Sequence, residues 1–140
     1  MKCAELNKAG NFDTWQTSKL EELKTDRISD TVSDNLIFEN NLVKLWMIFL
    51  LPQERLPFRK KRGSFSWTCL TGGLAISRYA NGKISLLSFD KGDTSYLDLE
   101  DEGLISDLEN IGEHPLEITV VEHLKSNKWE MLQNSQFSDN

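Results

Sequence analysis

Five of the 16 basic residues of this chain fall within eight positions, at Arg55, Arg59, Lys60, Lys61 and Arg62. In an extended strand Arg59 and Lys61 share one face, and Lys60 and Arg62 the other. Phe65 and Trp67 fall on the same alternation as Arg59 and Lys61. One chemistry such a set can perform is anion recognition. Arg59 would grip a carboxylate or phosphate as a fork, Lys61 would act as a point charge, and the two aromatic rings would form an apolar wall. A plainer reading is a solvated or internally paired basic strand. Residues 98–113 carry seven acids and no base, enough to neutralise it within one chain or across a dimer.

Other reactive residues form no constellation. His114 and His123 stand nine positions apart, with a turn and a strand between them, and give no metal-ligand spacing. The two cysteines, Cys3 and Cys69, do not make a disulfide framework, so reduced thiols and a cytoplasmic protein are expected. No Ser-His-Asp or Cys-His set emerges. Asp98 and Glu100 alternate with Leu97 and Leu99, which reads as the wet side of a half-buried strand. Tyr79 and Tyr96 are the only further proton-transfer candidates. A net charge of −6 argues against nucleic acid as a partner. The longest apolar run, Leu45–Leu51, has seven residues and ends at Pro52, too short to cross a bilayer. Met1–Gly10 lacks the apolar core of a leader peptide.

These residues must be positioned by short strands. From Leu36 onward, brief apolar runs alternate with turn residues: Leu36–Glu39, Leu42–Leu51, Trp67–Leu70, Leu74–Tyr79, Ile84–Phe89, Ser95–Leu99, Ile105–Glu109 and Leu116–Leu124. Asn81-Gly82 between two of them signals a tight hairpin. Close strand spacing without long helical patterns predicts an antiparallel barrel or sandwich. Residues 1–35 are polar and predict an arm, with a helix over Thr14–Lys24 started by a Ser18/Glu21 capping box. Residues 125–140 predict a tail, leaving the barrel over 36–124. Leu42–Leu51 is apolar at both alternating sets of positions, so it requires cover on two faces. The barrel core supplies one cover. The arm or a second subunit supplies the other, which leads to an expected homodimer. Trp15 and Trp129, in the flanking segments, are candidate interface anchors.

The segment Leu51–Glu122 resembles the small single-domain cupins, in particular those grouped with β-alanine degradation proteins. Metal cupins carry a first motif of Gly, five residues, His-x-His, three or four residues, Glu, six residues, Gly. At that spacing this chain has Gln53, Arg59, Lys61, Phe65 and Gly72. The second motif, Gly, two residues, His, three residues, Asn, reads here Gly103, Ser106, Asn110. The resemblance implies an all-β, cupin-type antiparallel barrel, a double-stranded β-helix or jelly roll. It also implies that Arg59 and Lys61 point toward the barrel mouth, with Ser106 adding a hydroxyl. The turn residues Gly72, Gly103 and Asn110 are kept for backbone reasons. The ligand positions hold residues that do not make a metal's first shell: a permanently protonated guanidinium, an amine beside it, a phenyl ring and a lone hydroxyl. The expectation is a barrel with no metal or other cofactor, acting as a non-catalytic binding or structural module. The alternative is a metal-independent enzyme or sensor for a small anionic metabolite held by Arg59 and Lys61. The candidate ligand-binding residues are Arg59, Lys61, Phe65, Trp67 and Ser106, with no catalytic residue assigned.

Overall fold

The computed structural model describes residues 1–7, 10–25, 27–99 and 103–124. Ten strands and one helix follow one another: β1 (Lys2–Glu5), α1 (Thr17–Thr25), β2 (Asn35–Glu39), β3 (Val43–Leu50), β4 (Arg55–Lys61), β5 (Ser64–Cys69), β6 (Gly73–Arg78), β7 (Ile84–Phe89), β8 (Thr94–Asp98), β9 (Leu104–Asn110) and β10 (Leu116–His123). They form two five-stranded sheets, in the orders β1-β7-β6-β9-β4 and β2-β3-β10-β5-β8. Every pairing between these strands is antiparallel. The core lies between the sheets, where one alternating set from each strand meets the other. Trp46, Ile48 and Leu50 of β3 lie beside Val120, Ile118 and Leu116 of β10 on the inner face of one sheet, with Phe65 and Cys69 of that sheet and Ala75 and Phe89 of the other completing the core.

The turns follow local chemistry. Leu51-Pro52-Gln53-Glu54 closes with a Glu54 N–H donating to the Leu51 carbonyl at 2.9 Å. Proline sets the second position, and Gln53 takes the third at φ 71°, the left-handed geometry that a type II turn demands. This is the position at which the cupin pattern has glycine. At Asn81-Gly82 the expected two-residue turn is instead a longer loop. The Gly82 N–H donates to Tyr79, the Tyr79 N–H to Lys83, and among these residues only Gly82 has positive φ. That is a type I turn followed by a left-handed residue, which suits Gly better than Asn at the critical place.

The N-terminal segment differs from the expected helical or irregular arm. Lys2–Glu5 adds an edge strand to β7, pairing Lys2 with Ser88 and Glu5 with Ser85. Four polar or small residues carry no strand signal of their own; the partner strand makes them a strand. The helix starts later than expected, at Thr17, where the Gln16 carbonyl accepts the first bonds from Lys19 and Leu20. Ser18 therefore lies inside the helix and does not cap it. Trp15 is not an interface anchor but packs within its own chain. It stacks on Phe58 with centroids 6.0 Å apart and donates its indole N–H to the Gly82 carbonyl at 2.9 Å. The expected tail and Trp129 lie outside the described residues.

Candidate functional site

A cavity of about 270 Å³ opens between the two sheets. Its walls have different chemistry. The β2-β3-β10-β5-β8 sheet contributes Ile48, Phe65, Trp67, Leu97, Ile118 and Val120, with Ser95 as its one polar lining residue among those described. The opposite sheet contributes Lys61, Asp107, Ser77, Tyr79 and Ser106 alongside leucines, Phe89 and Cys3. Strand pairing explains the polar group. Tyr79 bridges Ser106 across β9, Ser106 pairs with Arg59 of β4, and Lys61 pairs with Leu104 two residues further along β9. Tyr79, Ser106 and Lys61 thus sit at neighbouring positions on one face.

Four of the five sequence-nominated residues line this cavity: Lys61, Phe65, Trp67 and Ser106. Arg59 does not. It shares their face in the register, and a β-bulge between Leu56 and Arg59 lets both face the interior side. Its guanidinium nevertheless binds the segment before β2, donating to Thr31 Oγ1 at 2.8 Å, Ser29 Oγ at 3.4 Å and Asp34 Oδ1 at 3.0 Å. The Ser29 carbonyl also accepts the Lys60 N–H at 2.9 Å. Val32, between these contacts, inserts into the core at 2 % exposure. A strap of residues 29–34 therefore covers this end of the barrel and is pinned by Arg59. The two-cation clamp expected from the sequence is replaced by Lys61, the one cationic side chain among the described lining residues; the Met1 ammonium at the rim is paired with Asp93 at 2.8 Å. Burial, then the nearby Arg59 charge, push the Lys61 ammonium below the usual lysine range, and Asp107 partly opposes them.

The basic segment is neutralised in part from the acidic stretch, as the plainer sequence reading allowed. Asp107 is buried and binds two arginines, with Oδ2 at 2.6 Å from Arg55 Nε and 2.8 Å from Arg78. Its other oxygen accepts the Arg78 backbone N–H. Arg55 also grips Glu22 of α1 through both carboxylate oxygens at 2.7 Å, and Arg78 reaches Glu109 at 2.9 Å. The Arg55 hydrogen bonds hold the Glu22 carboxyl below its ordinary value, helped by the Phe58 N–H. This network docks the helix on β4, away from the cavity's apolar wall. The charges are visible in the sequence but the hub is not, because Asp107 and Arg78 meet only through the β6–β9 pairing.

The remaining nominated groups do little. Burial pushes the Cys69 thiol up to about 11, so it stays protonated. His114 lies in a loop and offers its carbonyl to Asn110, while His123 Nε2 meets Ser66 Oγ at 2.8 Å beside Tyr96. Among the described residues no three His, Cys, Asp or Glu groups are placed to hold a metal ion. At the positions where the cupin pattern has ligands, a strap-bound guanidinium, an ammonium, a phenyl ring and one hydroxyl do not fit one either.

No protein-family model and no curated protein matches the sequence. Solved structures do match in fold. A cupin domain from Bordetella pertussis Tohama I superposes with a TM-score of 0.58 at 12 % identity, covering 70 % of this chain and 97 % of that one. An RmlC-like cupin with a double-stranded β-helix fold from Methanocaldococcus jannaschii gives 0.53 at 17 % identity, covering 76 % and 91 %. The class defined is therefore an all-β cupin fold, two antiparallel sheets closed around an interior cavity. No helix among the described residues is long and apolar enough to cross a membrane.

Proposed function

We propose that this protein is a metal-independent cupin, a non-catalytic module that binds a small molecule in its barrel. The observation that supports it is substitution around an intact cavity: Lys61, Phe65 and Ser106 line the space at three of the positions where the cupin pattern has metal ligands. The spacing of Leu51–Glu122 favours a place beside the β-alanine degradation protein-like cupins. A metal-independent enzyme or sensor for a small anion is the second reading, carried by Lys61 with the Tyr79 phenol beside Ser106 as a candidate proton-transfer group in the cavity. In both readings the protein works in the cytosol and as a homodimer. Elemental analysis of purified protein tests the main claim. Zinc, iron, manganese and nickel are expected well below one equivalent, and a stoichiometric metal retained after dialysis overturns it. A thermal-shift comparison of small organic ligands then separates a binding module from a purely structural one.

A further inference from the structure

The cavity combines an apolar wall with one cation, and this pairing restricts what fits. Six described residues on the Phe65 side are aliphatic or aromatic, and besides the Ser95 hydroxyl the only polar group they bring is the Trp67 indole N–H, a neutral donor. Across from them Lys61 lines the cavity with the Ser106 and Tyr79 hydroxyls at neighbouring register positions. No hydrogen bond or ion pair reaches the Lys61 ammonium from the described residues, whereas Arg55, Arg59 and Arg78 are each engaged by carboxylates. Asp107 also lines the cavity and its charge favours the Lys61 ammonium, but its carboxylate already holds two arginines. An ammonium in a largely apolar cavity is costly without a counter-charge, and a single anionic group restores the balance.

Size and charge narrow the class further. At about 30 Å³ per liquid water, 270 Å³ holds roughly nine water volumes, which suits a ligand of about ten heavy atoms. One cation and two hydroxyls match one carboxylate. A phosphate dianion would need a second cation, and Arg59, the residue placed to supply it, is bound to the strap.

We propose that the barrel binds a monocarboxylate with an apolar tail, of the size of a medium-chain fatty acid or an arylalkanoate, with the carboxylate on Lys61, Ser106 and Tyr79 and the tail against Phe65 and Trp67. This rests on the reading of the cavity as a ligand site and names the ligand's chemistry. The lowered Lys61 pKa supports it with a sign. Binding a carboxylate favours the charged amine, so affinity should fall as pH rises through the free protein's Lys61 pKa, with proton uptake on the alkaline side.

The test is calorimetric titration of the full chain with octanoate, 1-octanol, octylamine and inorganic phosphate, on wild type and Lys61→Met. Octanoate is expected to bind wild type at least tenfold more tightly than octanol, with octylamine and phosphate weaker still. Lys61→Met should lose the octanoate preference while keeping octanol binding, which also shows that the variant folds. Should it fail to fold, the wild-type pH series decides, since only octanoate affinity should weaken at alkaline pH. Octanol or octylamine binding as well as octanoate would overturn the carboxylate assignment and leave the cavity reading standing. Failure of all four probes to bind would overturn both.

Discussion

Two side chains show how turn chemistry governs stability at the scale of single residues. Asn110 is fully buried and uses its whole amide: Nδ2 donates to the Leu50 and His114 carbonyls, and Oδ1 accepts the Gly112 N–H at 2.9 Å. Asn110→Ala strands three backbone groups and should cost about 2–4 kcal/mol in denaturant unfolding. Asn110→Asp should cost at least as much, because it turns an oxygen toward two carbonyls. Gln53 is the opposite case, a residue with a Cβ at φ 71°. Gln53→Gly relieves that strain and should raise stability by up to about 1 kcal/mol after the entropy of a freer unfolded chain is counted. The sequence already marked both positions through motif spacing. It did not show that Asn110 reaches back to Leu50, a contact made across 60 residues. Nor did it show the fate of Arg59. Alternation grouped Arg59 and Lys61 on one face, and the cupin-like spacing added Ser106, which pairs with Arg59. The strap that captures the guanidinium comes from a polar stretch whose placement depends on the finished barrel.

At the scale of elements, the helix is held to its sheet by charge. Its hydrophobic face is weak, with Leu20 and Leu23 as the only apolar residues of Thr17–Thr25. Glu22 on Arg55, and Arg55 on Asp107, make the main polar contact. Removing the hub leaves two arginines facing a neutral partner, so Asp107→Asn should destabilise by about 3–5 kcal/mol. Glu22 gives a pH signature. Its folded pKa lies below the ordinary 4.5, so the stability it contributes is present above about 4.5 and is lost as pH falls through the lower folded value. Glu22→Gln should therefore be less stable than wild type at neutral pH, with the gap closing in acid. Chemical denaturation between pH 7 and pH 3 reads this directly. Strands were far more legible than the helix and the edge. Runs such as Ile84–Phe89 carry their own period, whereas Lys2–Glu5 is a strand only because β7 offers it an open edge.

At the scale of the whole molecule, the sheet that holds β3 leaves large apolar side chains exposed on its outer face. Of the arm, α1 and Trp15 dock on β4, and Ser33 touches β3 by donating to the Met47 carbonyl at 2.8 Å, which leaves the outer face around Phe49 uncovered. Phe38 and Phe49 remain 52 % and 48 % exposed on the side of the β2-β3 pair away from the cavity, near Leu45, Met47 and Val121. This favours the homodimer over the self-covered monomer as the answer to the doubly apolar strand. Light scattering should give a mass near twice 16.1 kDa, and Phe49→Lys should halve it while the thermal transition persists. A wild-type monomer would remove the dimer from the proposed function.

The edge strand β1 also has a consequence in time. Lys2–Glu5 pairs with Ser85–Ser88, and the Asn7 amide reaches the Gly82 carbonyl across 75 residues. During synthesis Lys2–Glu5 must wait for residues near 88 before it has a partner, whereas β7's other side is taken by β6, the strand just before it in the chain. Native pairing of β1 therefore belongs to a late step, with high contact order and slow folding. Until then the open edge of β7 is available to any other extended chain, so the interval between synthesis and closure is when this barrel is most exposed to mispairing.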